Sequence, residues 1–378
     1  MNLTDLRTQI DTTDDEIARL FKRRMEIVNQ VAEVKKQSGD AVLNKNRERE
    51  ILSRLTQDET PETAGQLRLL FSTLFGISRN QQSAQMTRTT ELSDMIRLAT
   101  TGAEAFPQNA VVACQGIEGA YSQIACDKMF TFPSILYFSS FDSVFRAVDK
   151  GMCRYGILPI ENSANGSVAQ VYELMKLYDF FIVKSLRLRI DHCLLMRPGG
   201  KRGDIKEIVS HEQALGQCSA LIESMPGVRV TVCENTAMAA KFVSESDRTD
   251  IAAISSPDCA LLYNLSVVER NIQNTEHNYT RFICISKRLE IYPGACKTSV
   301  MLTISHRPGS LFDILSKLSA LGLNLTKLES RPIAGRDFEF MFYLDFDTGT
   351  YTEPVLRLFD ELQESLEQFK FIGSYAEM

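Results

Sequence analysis

Between Leu3 and Val34 the residues Leu3, Leu6, Ile10, Ile17, Leu20, Ile27, Val31 and Val34 recur at a heptad-like spacing. Such a pattern marks a long amphipathic helix with one continuous apolar stripe. Ser38-Gly39-Asp40 is a helix stop, so the spacing predicts a helix of roughly 33 residues, about 50 Å long. A second helix is expected from Asn44 to Leu55, and a third from Pro61, a favoured first-turn residue, to Gln82. Three helices cannot bury so long a stripe inside one chain. Intertwined pairing with a second copy follows, which makes the protein an even-numbered homo-oligomer, a dimer or a tetramer.

The chain has 378 residues, more than one core supports, so two or three domains are expected. With 44% hydrophobic and 24% charged residues it reads as a soluble globular protein. Its net charge of −6 argues against nucleic acid as a partner. No apolar run approaches the ~20 residues of a membrane span, and the acidic, amphipathic start is unlike a secretory leader. The nine cysteines are an odd number without close pairs, which suits reduced thiols and a cytoplasmic location. The four histidines show no metal-ligand spacing, and no Gly-rich dinucleotide or phosphate loop occurs. The expected chemistry therefore runs without a cofactor or metal.

Arg24 breaks the apolar rhythm, seven residues after Ile17 and seven before Val31. A charge in that seam must be paired or must bind something, because burying it alone is costly. Lys35 returns to nearly the same helical face, whereas Arg7 lies roughly 25 Å away along the axis. Arg7 can reach such a site only from the other chain of an antiparallel pair. Asn44 and Glu48 stand one turn apart on the second helix with Arg47 between them; Ser78 and Gln82 do so on the third. Each pair alone is a solvated helix face. Combined with Arg24 they describe a cationic pocket suited to a small dianion.

A second candidate site is the stretch Tyr155–Gly166, YGILPIENSANG. Gly156–Ile160 reads as a strand buried on both faces, which Pro159 stops. Glu161, Asn162, Ser163 and Asn165 then lead to a helix, as where open α/β sheets bind ligands beyond their strand ends. The bland reading is a polar turn capping that helix. Strand and helix alternate from Ala110 through Gly116–Ser122, a Gly-spaced loop entering a helix, to Asn278-Tyr279-Thr280-Arg281-Phe282. Two lobes joined by crossing connections give this order, an arrangement analogous to periplasmic binding proteins. From Thr298 to Tyr375 the order strand, helix, strand, strand, helix, strand is that of a ferredoxin-like βαββαβ unit.

Three resemblances account for these blocks. Residues 3 to 84 resemble the all-helical chorismate mutase domain. Residues 110 to about 288 are similar to prephenate dehydratases, on the Gly116–Ser122 loop, PIENSANGS from Pro159 and NYTRF from Asn278. Residues 297 to 378 look like the ACT domain, on Pro308-Gly309-Ser310-Leu311, Gly322-Leu323-Asn324-Leu325 and Glu329-Ser330-Arg331-Pro332. The whole resembles the bifunctional chorismate mutase/prephenate dehydratases with a regulatory tail. The fold implied is an all-α mutase domain at 1–88, a linker at 89–108, an α/β two-lobed dehydratase domain at 109–288 and an α+β ferredoxin-like ACT domain at 297–378.

The resemblance also implies the residues. Arg24 and the partner's Arg7 would bind the carboxylates of chorismate, Lys35 and Gln82 the breaking ether oxygen, and Glu48 the hydroxyl. Arg47 would steady Glu48, with Ser78 lining the pocket. Asn44 stands where the family has an aspartate, which would weaken binding rather than abolish activity. For prephenate, Thr280 would meet the leaving hydroxyl, and Ser122, Asn162, Ser210 and Gln217 would contact substrate. Glu161 would orient the network or carry the proton. Arg281 would pair with a substrate carboxylate or with a neighbouring loop; His211 and His277 are read as structural. Phenylalanine would bind Pro308, Gly309, Ser310, Leu311, Asn324, Leu325, Glu329, Ser330, Arg331 and Pro332 as a feedback effector. Two other readings stay open: a dehydratase whose impaired mutase domain only dimerises, and a non-catalytic amino-acid sensor.

Overall fold

The computed structural model describes residues 2–40, 42, 44–86, 90–102, 104–307, 309–333, 340–348 and 352–378. Contacts divide the chain into two compact units. One holds Met1–Asp94, Met301–Leu344 and Tyr351–Lys370; the other holds Met95–Val300, Asp345–Thr350 and Phe371–Met378.

The N-terminal region is helical throughout: α1 (Leu3–Ser38), α2 (Lys45–Thr56), α3 (Pro61–Met86) and α4 (Glu91–Thr101). Reciprocal capping between Asn2 and Asp5 opens α1, and Gly39, at φ 76°, closes it in the left-handed region that glycine tolerates. The third helix runs past the expected Gln82 because no glycine or proline follows to stop it. Met25, Val28 and Ala32 bury one narrow face of α1. The eight stripe residues are left 39–64% exposed. Each would gain on the order of 1.5–3 kcal/mol from full burial, so this face is unfinished in one chain.

In the second unit the first lobe is built by β1 (Asn109–Gln115), α5 (Tyr121–Met129), β2 (Phe132–Phe138), α6 (Phe141–Asp149), β3 (Tyr155–Asn162), β4 (Gly166–Ser167), α7 (Ala169–Leu177) and β5 (Phe181–Arg189). The second lobe follows as β6 (Cys193–Met196), β7 (Glu207–Ser210), α8 (Glu212–Gln217), α9 (Ser219–Glu223), β8 (Arg229–Val232), α10 (Thr236–Glu245), β9 (Ile251–Ser255), α11 (Pro257–Leu262) and β10 (Ser266–Glu269). The chain then returns through β11 (Tyr279–Ser286) to the first sheet, which is ordered β5–β11–β3–β1–β2; the second is β10–β6–β9–β7–β8. Two crossings join the lobes, as the alternation implied. The strand β7 was not anticipated, since only Ile208 and Val209 separate Glu207 from Ser210.

Pro159 does not stop β3, as the sequence reading held. It sits opposite Phe282 of β11 at a register shift, and the bulge accommodates the missing N–H. Close packing fixes α6 over this strand. A Cβ on Gly156 would lie 2.8 Å from Val144 Cγ1 and 3.1 Å from Val148 Cγ2, so only glycine fits without shifting the helix.

The C-terminal elements are β12 (Lys297–Thr303), α12 (Ser310–Ala320), β13 (Asn324–Pro332), β14 (Phe340–Asp347), α13 (Glu353–Ser365) and β15 (Gln368–Glu377), with strand order β13–β14–β12–β15. That is the βαββαβ order expected. No described helix is long and apolar enough to cross a membrane.

Candidate functional site

A cavity of about 470 Å³ opens between the two lobes of the second unit. Helices α5, α6, α7, α8 and α10 all begin at its wall. Tyr121 and Ser122 of α5, Val168 and Gln170 at the start of α7, and Asn235 and Thr236 at the start of α10 all line it. Each N-terminus carries unpaired N–H groups and roughly half a positive charge. Among the described residues the lining contains no lysine or arginine and a single carboxylate, Glu234. An anion here is met by dipoles, not by a cation.

The polar heart of the cavity joins β3 to β11. Asn162 Nδ2 donates to Thr280 Oγ1 and to Asn278 Oδ1, both at 2.9 Å. Asn162 Oδ1 accepts from the backbone N–H groups of Ala164 and Asn165 at 3.0 Å. Gln217 Oε1 accepts from Asn278 Nδ2 at 2.8 Å and lies 2.9 Å from His192 Nε2. Burial lowers the His192 pKa, and the bond to Gln217 only partly opposes this. Since Thr280 Oγ1 accepts from Asn162, its own proton is available to a group in the cavity.

Asn162, Thr280, Ser122 and Gln217 all line the cavity, but three expected residues do not. Ser210 is fully buried and its Oγ donates to the Ile254 carbonyl at 2.6 Å; the lining residue is its neighbour His211. Thr280 and Phe282 face the cavity, so strand alternation turns Arg281 and its cross-strand neighbour Glu161 to the other side. Arg281 there binds Asp345 at 2.5 Å, Glu377 at 2.8 Å and the Tyr375 hydroxyl at 2.8 Å. Burial opposes its charge, yet Tyr375, Asp345 and Glu377 together raise its pKa. Of the two readings for Arg281, the one with a neighbouring segment holds. His277 is exposed. His192 and Asn278, absent from the expected set, complete the network; Asn278 was visible only as the first residue of NYTRF.

The helical unit holds the other set. Arg24 is half-buried, donating to the Ser78 hydroxyl and, at 3.3 Å, to the Leu74 carbonyl. Burial lowers its pKa. No carboxylate of the described residues pairs with it, so the charge awaits an anion. Gln82 is buried one turn on, its Nε2 donating to the Ser78 carbonyl at 3.3 Å and its Oε1 unpartnered. Lys35 donates to the Val42 carbonyl at 2.7 Å.

One expectation fails here, that Arg47 steadies Glu48. Glu48 pairs with Arg79 of α3 at 2.5 Å, while Arg47 pairs with Glu50 in solvent. Successive helical residues point about 100° apart, so Arg47 cannot share the face of Glu48. Asn44 caps α2, its side chain accepting from Arg47 N at 3.0 Å, which leaves it less free for a ligand. Arg7 is exposed on α1.

In the C-terminal region Gly309, at φ 88°, enters α12, and Ser310 Oγ lies 3.3 Å from Ser305 Oγ. Leu311 follows Ser310 on α12. Asn324, Leu325, Glu329, Ser330, Arg331 and Pro332 all lie on β13, with Arg331 2.9 Å from Glu329. Pro308 falls outside the described residues. No group of three or more His, Cys, Asp and Glu among the described residues is placed to hold a metal.

Comparison with known proteins agrees with this layout. The prephenate dehydratase family model matches residues 112–290, and the chorismate mutase type II model matches residues 6–83. The chain is 34% identical over 276 residues to arogenate dehydratase/prephenate dehydratase 2 of Arabidopsis thaliana, covering 70% of this chain and 72% of the plant protein. It is 29% identical to the bifunctional chorismate mutase/prephenate dehydratase of Escherichia coli, over 99% of this chain and 96% of that one. Among solved structures, prephenate dehydratase of Arthrobacter aurescens in complex with L-Phe superposes with a TM-score of 0.64 at 28% identity, over 70% of this chain and 89% of that one. The chain belongs to the prephenate dehydratase family and carries a type II chorismate mutase domain ahead of the dehydratase domain.

Proposed function

We propose that the protein is a bifunctional enzyme that rearranges chorismate to prephenate and converts prephenate to phenylpyruvate, under feedback by phenylalanine. Both domains lie on one chain, and a relative with both names matches over 99% of it.

In the helical site, Arg24 supplies the cation for one carboxylate. Ser78, Gln82, Lys35, Asn44 and the Glu48–Arg79 pair supply the polar contacts around the ring and ether. A pericyclic rearrangement needs no covalent partner, only a held conformer and stabilisation of charge on the ether oxygen. The second carboxylate falls to Arg7 of the partner subunit in a dimer built on the exposed stripe of α1. The 39–64% exposure of that stripe supports this assembly.

In the cleft, the C–C bond to the ring carboxylate breaks and releases carbon dioxide. Its electron pair enters the ring as the C–O bond to the ring hydroxyl breaks. Hydroxide takes up one proton and leaves as water, so prephenate dianion and a proton give phenylpyruvate anion, carbon dioxide and water. Aromatisation drives the step; the site must mainly help the hydroxyl depart. The single observation that carries this reading is Thr280, which accepts from Asn162 at 2.9 Å and keeps its own proton for the leaving oxygen. The N-termini of α5, α7 and α10 receive the carboxylates.

The C-terminal module is an ACT domain whose α12 turn and β13 bind phenylalanine through Gly309, Ser310, Leu311, Asn324, Leu325, Glu329, Ser330, Arg331 and Pro332. A typical coupling is about 1–3 kcal/mol. Incubating the purified protein with chorismate, with and without phenylalanine, tests the whole reading. The expected product is phenylpyruvate, formed more slowly with phenylalanine present. Accumulating prephenate would contradict the second activity, and unchanged chorismate the first.

A further inference from the structure

The polar chain behind Thr280 has a fixed direction. The Ala164 and Asn165 backbone N–H groups donate to Asn162 Oδ1 at 3.0 Å, so that amide can stand only one way round. Its Nδ2 then faces Asn278 Oδ1, which turns Asn278 Nδ2 to Gln217 Oε1 at 2.8 Å. Gln217 Nε2 in turn faces the side-chain oxygens of Asn162 and Asn165 at 3.5 and 3.4 Å. A carboxamide oxygen accepts, so the ring nitrogen 2.9 Å from Gln217 Oε1 must donate. His192 therefore carries its proton on Nε2. Its Nδ1 is buried without a partner, and the residue is 2% exposed. A second proton, on Nδ1, would leave a buried N–H unsatisfied.

We propose that His192 is a positioning residue for the dehydration. As a neutral Nε2–H tautomer it anchors Gln217, and through Gln217 and Asn278 it holds Asn162 donating to Thr280, which aims the threonine proton into the cavity. The backbone N–H of His192 donates to Gln273 Oε1 at 3.1 Å, so the loop before β11 pins the ring's own position. This inference rests on the dehydratase reading above. Loss of prephenate turnover in the wild-type chain would end that reading, whereas the variants below end only the role of His192.

The experiment compares His192→Leu, His192→Asn and His192→Gln in the full chain, with steady-state kinetics on prephenate and on chorismate. Leucine removes the donor, asparagine keeps an amide too short to reach Gln217, and glutamine restores an N–H at about the place of Nε2. The expected result is a kcat for prephenate lowered on the order of 10- to 100-fold by Leu and Asn. KM should stay within about two-fold and the mutase rate unchanged. Glutamine should recover most of the loss. Wild-type kcat in both His192→Leu and His192→Asn would overturn the proposal. So would equal impairment of all three variants, or a raised KM with kcat intact. Should His192→Leu not fold, the Asn and Gln pair gives the same decision.

Discussion

The two candidate sites take up similar doubly negative molecules by different physics. In the helical unit the proposed anchor is a guanidinium: Arg24 sits half-buried, donating to a hydroxyl and a carbonyl beside the Phe75 ring, with no carboxylate among the described residues paired to it. In the cleft no lysine or arginine of the described residues lines the wall, and the proposed contacts are helix N-termini with an amide network. The helical site also looks unfinished within one chain, with Arg7 and the α1 stripe exposed. The cleft is finished, since its network closes among residues of one unit. A concerted rearrangement can be served by charges on two chains that clamp a conformer. Assisting a leaving hydroxyl asks for one proton aimed along one line, and that is easier to hold within a single chain.

Removing the cation should have the largest effect. Arg24→Ala is expected to lower the mutase kcat/KM by about three orders of magnitude or more, while prephenate turnover in the same sample stays near wild type. Next, Thr280→Ala should cost about 10²- to 10³-fold in dehydration and spare the mutase. If either variant lost both activities, the separation into two sites would be wrong. Smaller still is the expected effect of Ile17→Glu, which puts a charge in the stripe: light scattering should show dimer dissociation shifted by about 100-fold. The mutase should fall with it and the dehydratase should not.

The legibility of the two regions differed in the same way. Helix periodicity from Leu3 and the Ser38-Gly39-Asp40 stop made α1 readable, because both are local signals. It could not say which neighbour on another helix meets a given side chain, and so the Glu48–Arg79 pair was not foreseen. In the cleft, Asn162 and Thr280 were found because PIENSANGS and NYTRF are contiguous. Glu161 was placed on the wrong side and Arg281 stayed open between two readings, since which residues of β3 and β11 share a face depends on their pairing and on the bulge at Pro159. Ser210 was taken for a substrate contact because β7 is too short to show its period, which would have turned it inward. His192 left no mark at all: one histidine ahead of an apolar run reads as core until Gln217 is seen beside it.

Mixing two dead mutases tests the central contrast most directly. Arg7→Ala and Arg24→Ala chains, each inactive on chorismate alone, are allowed to exchange subunits, and the mutase rate is followed. A site shared between chains predicts recovery to about a quarter of wild type, since half the pairs are mixed and one of their two sites is whole. The same experiment with Thr280→Ala and Asn162→Ala chains should recover no dehydratase. Mutase activity that stayed absent after exchange, or dehydratase activity that returned, would contradict the account.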